Sequence, residues 1–358
     1  MNIKSSLLMA GLAVGVAVPT VSMAAPITPG NLVIYRVGTG SAALSTAHAA
    51  VFLDEYTTAG TFVQSIAVST TGASALSASG SASSEGILSM SQDGTKLCMT
   101  GYRKDVGSAV ALASNKVIGY VDLTGTVNTA TEVSDATSTT VRSATSVDGS
   151  KFYMATSGAV RYIGSAGGIA TSTVIDARNS RQVQLFNNTL YGSNGSTAIT
   201  NKLQGYGVLP TALTTPTAVA TLATTDAMQG FVMLDMSASV VGYDTAYALS
   251  TVENLIRKYT FNGTSWTASG SVSANSAQNI VATQNGSTAG LFMTTTSTLR
   301  SMVDASGYGG TLTGTSSVIA TAGTNTAFRG VGGFNLVPEP ASLVALGLGL
   351  ALALRKRK

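Results

Sequence analysis

The 358-residue chain has a single cysteine, Cys98, and a single histidine, His48. With one cysteine no intramolecular disulfide can form, and Cys98 in the apolar run KLCMTGY reads as a buried thiol. No His/Cys set has zinc-ligand spacing. His48, in STAHAAVF, is expected to be a surface or hydrogen-bonded residue rather than a catalytic base. Charged residues make up only 10% of the chain, and the one adjacent carboxylate pair, Asp54-Glu55, would point to opposite faces of a strand. Asp93, Asp148, Asp235 and Asp244 sit at turns, where capping the backbone is the default role. They do not cluster into a calcium loop. Phosphate-binding glycine motifs, helix caps and long amphipathic heptads are also missing. These absences remove the usual metal, phosphate-binding and acid–base constellations, and leave no cofactor to expect.

What is abundant is Ala, Ser, Thr, Gly and Val, a composition that favours short strands joined by tight turns. The net charge of +4 belongs to the ends of the chain. Lys4 and the four terminal cations account for five of the 20 basic residues, and Glu339 for one of the 16 acidic ones. Residues 25–336 therefore carry 15 of each sign, which is no nucleic-acid signature. At the N-terminus Lys4 precedes an apolar stretch from Leu7 to Val18, broken by Pro19. Ser22 and Ala24 place small residues where a signal peptidase reads, so residues 1–24 are expected to be a secretory signal peptide cleaved after Ala24.

The body, 25–336, repeats. An apolar strand, a turn of Asp-Gly or Asn-Gly type and a second strand recur from Gly86, Ser143, Gln182, Gly230 and Asn279. Asp93-Gly94, Asp148-Gly149 and Asn285-Gly286 are strong hairpin signals, because these pairs accept positive φ. Each unit is followed by a further strand pair, such as VIGYVDL with VNTATEV or VRYIG with STVIDA. Four strands at this period are the mark of propeller blades. TAFRGVGGFNLV, from Thr326, looks like a first strand without its other three, and NLVIYRVG, AVFLDEYT and TFVQSIAV look like three strands without a first. The expectation is an all-β, single β-propeller of six four-stranded blades, closed by pairing the N- and C-terminal strands. A seventh blade would have to come from residues 69–85 or 195–225.

The last 22 residues have a different grammar. Pro338-Glu339-Pro340 forms a rigid extended motif, residues 341–354 an uncharged helix-prone run, and Arg355, Lys356, Arg357 and Lys358 a basic end. Fourteen helical residues rise roughly 21 Å, short of a ~30 Å hydrocarbon core, so a transmembrane helix here needs snorkelling or bilayer thinning. The four cations would hold that end in the cytoplasm. Residues 337–358 resemble the PEP-CTERM sorting signal of bacterial exported proteins. The resemblance implies recognition by an exosortase, transient membrane anchoring, and delivery to the cell surface or extracellular space. The body, through VIYRVG, VFLDEYT, DGTKL, GYGG and AFRGV, looks like that of other secreted propeller-like proteins with this tail, a likeness that brings no activity with it.

Aligning the units at the start of their inner strands selects Glu85, Arg142, Arg181, Gln229, Gln278 and Arg329. In a propeller these positions converge on the channel mouth. They would either bind an anionic or polyhydroxylated ligand or bond to the next blade's backbone and lock the ring, and the recurrence itself fits the second role. Tyr56, Tyr102, Tyr162, Tyr206, Tyr259, Trp266 and Tyr308 fall at blade edges, where they fill gaps between sheets or stack on sugar rings, Trp266 being the best placed to stack. The leading expectation is a non-enzymatic surface or extracellular-matrix protein that binds biofilm exopolysaccharide. The alternative is an extracellular polysaccharide hydrolase or lyase using Glu85 and a nearby Asp.

Overall fold

The computed structural model describes residues 24–109 and 112–336. The signal-peptide residues before Ala24, the Pro338-Glu339-Pro340 motif, the 341–354 helix and the 355–358 basic end lie outside the described residues. Among those described, the structure is all strand apart from one three-residue 3-10 turn, Gly72–Ser74. No described helix is long and apolar enough to cross a membrane.

β1 (Leu32–Val37), β2 (His48–Tyr56) and β3 (Phe62–Ala67) form an antiparallel meander, followed by the short β4 (Ser77–Ser79). β5 (Ser89–Met90), β6 (Lys96–Tyr102), β7 (Lys116–Asp122) and β8 (Val127–Val133) form the next. β4 pairs with both β2 and β6, fusing the two meanders into one larger sheet. Next come β9 (Val141–Ser146), β10 (Phe152–Thr156) and β11 (Val160–Ile163). β12 (Gly168–Ala170) crosses to lie parallel to β8, and β13 (Thr173–Asp176) returns to β11. Three uninterrupted four-stranded meanders complete the chain. They are β14 (Ser180–Phe186), β15 (Thr189–Asn194), β16 (Asn201–Val208) and β17 (Thr217–Thr221); then β18 (Met228–Leu234), β19 (Thr245–Ser250), β20 (Leu255–Phe261) and β21 (Trp266–Ser273); then β22 (Asn279–Asn285), β23 (Thr288–Thr294), β24 (Thr298–Asp304) and β25 (Ser317–Thr321). β26 (Ala327–Gly332) runs back to pair antiparallel with β1, placing Gly332 opposite Val33 and Ala327 opposite Val37. Residues 69–85 thus supply a turn and β4, and 195–225 hold β16 and β17, which already belong to a meander.

The hairpins sit where the turn chemistry puts them. Gly149, at φ +90, closes β9 on β10, a conformation that a Cβ would strain. Asn187 and Asn188, at φ 48 and 60, make the two-residue turn between β14 and β15 without a glycine.

Most strands are buried on both faces, because successive side chains feed two different cores. On β18, Phe231 and Met233 pack towards Phe186 and Leu203, while Val232 and Leu234 pack towards Ile280 and Leu291. On β10, Phe152 and Met154 face Cys98 and Ile118, while Tyr153 and Ala155 face Val183 and Leu185. β1 divides likewise, Val33 and Tyr35 meeting Leu88 and Leu97, Leu32 and Ile34 meeting Leu299 and Phe328. Six apolar clusters among the described residues therefore each join two neighbouring meanders, including the last to the first. Burial falls outward: β18 and β26 are buried throughout, whereas β21 and β25 are largely exposed.

Candidate functional site: the polar end of the central strands

β9, β14, β18 and β22 open their meanders, β26 pairs with β1, and Glu85 lies in the segment leading into β5. Of the six residues selected from the sequence, Arg142, Arg181 and Gln229 are second in their strands, Arg329 is third in β26 and Gln278 stands just before β22. Arg181, Gln229 and Gln278 line one cavity of about 500 Å³ with Ser83, Ser84, Thr251, Asn254, Ser276 and Ala277. Glu85, Arg142 and Arg329 are not among its lining residues. Arg142 lies near enough to Arg181 and Glu85 for their charges to act on it, and Glu85 near enough to Arg329. Arg142, Gln229, Arg329 and Glu85 are all more than nine-tenths buried.

Glu85 is held firmly. Its carboxylate accepts the Tyr102 hydroxyl at 2.7 Å and the Ser79 amide at 3.1 Å. Burial raises its pKa, against the opposing pull of those two bonds and of Arg142 and Arg329. Arg329 donates through Nη2 to the Gly80 carbonyl at 2.9 Å, while its Nε is buried without a partner. Arg142 and Arg181 are held much less. The Nε of each is buried and unpartnered, as is the Gln278 Oε1. Burial, and after it the charge of Arg181, lowers the Arg142 guanidinium to about 10. Burial lowers Arg181 as well. Space for Arg181 is kept by Gly195, where a Cβ would fall 2.7 Å from its Nε.

Bonds between adjacent meanders come from other residues, mostly those one place further along the inner strands. Ser143 Oγ donates to the Arg181 carbonyl at 3.2 Å and accepts the Val183 amide at 2.8 Å. Gln182 Oε1 accepts the Phe231 amide at 2.8 Å, and Ser193 Oγ donates to the Gln229 carbonyl at 2.5 Å. Asn279 Oδ1 accepts the Val331 amide and Thr294 Oγ1 donates to the Arg329 carbonyl, both at 2.6 Å. Where Gly330 meets Gly86 the backbones touch directly, and a Cβ on Gly330 would lie 2.2 Å from the Gly86 carbonyl oxygen. The Arg181, Gln229 and Arg329 carbonyls accept three of these bonds, while Arg142 Nε, Arg181 Nε and Gln278 Oε1 stay buried without a partner. The seam-making hydroxyls and amides gave no signal in the sequence beyond following the aligned positions. Ser83 and Ser84 gave none.

The opposite end of the same strands is apolar. A cavity of about 370 Å³ lies among Leu88, Leu97, Leu185, Phe231, Ile280 and Leu336. Leu336 follows Phe334, whose carbonyl accepts the Gly30 amide at 2.9 Å, so the chain segments next to both termini are clasped together. Ile27, three residues past the predicted cleavage point, is buried and hydrogen-bonded to Leu123.

The remaining candidates have structural surroundings. His48 is buried, its Nδ1 3.1 Å from Ser77 Oγ and its ring edge-on to Tyr102. Burial, then Lys104 and Lys116, lowers its pKa. Burial pushes the Cys98 thiol up to about 12. Asp54 pairs with Arg36, whereas Glu55 accepts Asn31, Gln64 and Thr28, so the two carboxylates do not converge. Of the edge aromatics, Tyr56, Tyr102, Tyr206 and Tyr259 are buried, Tyr162 packs on Tyr153, and Tyr308 donates to the Phe261 carbonyl. Trp266 is half-buried against Phe261, ring centroids 5.2 Å apart, in a rim groove it shares with Tyr191 and Tyr259. No group of three or more His, Cys, Asp or Glu among the described residues could hold a metal.

The architecture has relatives among solved structures. The chain is similar to the beta-propeller domain of Cps50 (Swd1) from Myceliophthora thermophila, at 8% identity, over 86% of this chain and 98% of that one, with a TM-score of 0.45. It is also similar to a chain of a nidogen/laminin complex, at 12% identity, over 84% and 97%, with a TM-score of 0.48. No curated protein sequence matches. The chain bears the PEP-CTERM protein-sorting motif, whose family model matches residues 336–358. That motif implies export and membrane-associated processing by an exosortase.

Proposed function

We propose that the protein is an exported, non-enzymatic binding module of the cell surface or extracellular matrix, built as one closed propeller of six blades. Supporting the ring are the six shared cores and the pairing of β26 with β1. Supporting surface delivery is the sorting motif, with a membrane-anchored stage before processing. The observation that carries the binding role is at the polar end, where Arg142, Arg181 and Gln278 each keep a buried side-chain atom without a partner while the Arg142, Arg181 and Gln229 carbonyls serve the seams. A fold that needed these residues only as locks would use the tips. Matrix exopolysaccharide is the partner suited to that end.

A hydrolase or lyase would need a second carboxyl across a cleft from Glu85. The groups around Glu85 are a tyrosine hydroxyl, a backbone amide and two guanidiniums, which suit a fixed charge better than a proton shuttle.

The test is retention of the purified full chain on matrix polymer from the producing organism, with no release of reducing sugar. Failure to bind any matrix polymer overturns the reading, and release of sugar returns the hydrolase. Separately, replacing Pro338 and Pro340 by Ala should leave inner-membrane export intact and stop the later sorting step. Unchanged surface delivery would count against that route.

A further inference from the structure

The polar end specifies more than the presence of a ligand. Arg142 and Arg181 lie near enough for their charges to act on one another, and each keeps a buried Nε–H with no acceptor. Glu85, the carboxylate whose charge acts on Arg142, is already engaged by Tyr102 and Ser79. Unpaired buried donors on a charged group are costly to leave dry, and like charges add to that cost. An oxyanion reached through the fork of Arg181 would satisfy the donors and relieve the repulsion together.

The rest of the lining narrows the ligand. Gln229 and Gln278 bring amides that both donate and accept; Ser83, Ser84, Thr251 and Ser276 bring hydroxyls. Ala277 is the one apolar side chain among the lining residues. This is a poor surface for an acyl chain or an aromatic ring and a good one for a polyhydroxylated molecule. Its volume, about 500 Å³, lies within the range of small-ligand sites.

We propose that this cavity binds an acidic saccharide unit, its carboxylate or sulfate seated on Arg181, with the charge of the buried Arg142 nearby, and its hydroxyls on Gln229, Gln278 and the surrounding serines. The assignment rests on reading the body as a binding module and names the class of ligand that module takes.

Calorimetric titration of the full chain decides it, with three probes: an oligogalacturonate, the matching neutral oligogalactose, and inorganic sulfate. Binding of the oligogalacturonate alone, weakened about tenfold or more in Arg181→Gln and falling as salt is raised, is the expected result. Arg181 is half-buried, so that variant is the one to trust for folding; Arg142→Met, checked by an unchanged unfolding midpoint, should behave alike. Equal binding of the neutral sugar, unaffected by either substitution, overturns the acidic class while leaving the binding module standing. Binding of sulfate as tight as that of the oligouronate overturns the saccharide part. No binding of any probe by a chain still retained on matrix polymer places the ligand elsewhere and ends the proposal.

Discussion

Two sets of buried cations share this body and are treated in opposite ways. Lys258 is completely buried in β20, and its ammonium donates to Asp304 at 2.8 Å, to Ser306 Oγ at 2.9 Å and to the Gly307 carbonyl at 2.6 Å. Lys116 donates to the Leu112 and Ser114 carbonyls, and Lys202 to those of Ser196 and Thr224. Each ties the third strand of its meander to a loop. Around the axis, by contrast, Arg142 and Arg181 keep donors without acceptors. A chain that supplies carbonyls to every one of these lysines, and a carboxylate to Lys258, has the means to pair an arginine. Arg161 and Arg257 also keep a buried Nε without a partner, but each is ion-paired, to Asp135 and Glu253, so Arg142 and Arg181 differ in having no ion pair among the described residues.

The sharpest way to break that distinction is Lys258→Met. Removing one partner strands Asp304 in a dry site, and stability should fall by about 3–5 kcal/mol in urea unfolding, with no change in ligand affinity beyond that expected from unfolding. If stability were instead retained, the lysines would not be the structural set. Arg142→Met is the converse experiment. It relieves a like-charge contact, so stability should hold or rise by about 1 kcal/mol while anion binding drops. A large loss of stability would mean that Arg142 is a lock.

Acid titration sharpens the comparison through two carboxyls. Burial would raise Asp304, but bonds from Lys258, Ser306 and Tyr247 bring it below the ordinary carboxylate range. Between those two values the unfolded chain holds the proton and the folded one does not, so this contribution is complete above the ordinary range and is lost as pH falls. Glu85, raised by burial, has the opposite sign: the folded chain holds the proton, and stability declines as pH climbs from the ordinary value to the raised one. Unfolding midpoints against pH should therefore have a shallower acid limb in Asp304→Asn, where Glu55 and Asp148 remain lowered, and a shallower decline at higher pH in Glu85→Gln, where Asp235 and Asp244 remain raised. The same slopes in both variants would refute the assignment. Smallest of all, Gly195→Ala should push the Arg181 guanidinium aside, at a cost of about 1 kcal/mol or less to the fold, and weaken anion binding without abolishing it.

Much of the architecture was legible because it is local. Asp148-Gly149 and the apolar strands around it announce a hairpin with no knowledge of the rest. What stayed hidden depends on distant partners. β4 is only Ser-Ala-Ser, and nothing in those three residues predicts pairing to both His48–Ala50 and Tyr102. β12 crosses to β8 from a loop whose sequence reads as a turn. The seam bonds of Ser143 and Asn279 join residues 40 and 52 positions apart, and in a Ser/Thr-rich chain such side chains look like any others. Lys116, Lys202 and Lys258 read as solvated charges until the loops that cover them are in place.

The pairing of β1 with β26 also sets a clock. A chain crossing a membrane from its N-terminus presents β1 early, and its outer edge stays open until residues 327–332 have followed. Open edges invite mispairing, and contacts this distant in sequence form slowly. The sorting motif begins at residue 336, four positions after β26 ends, so the strand that completes the first sheet leads almost directly into the signal for processing. A chain interrupted before this stretch would lack both the last strand of that sheet and its sorting motif.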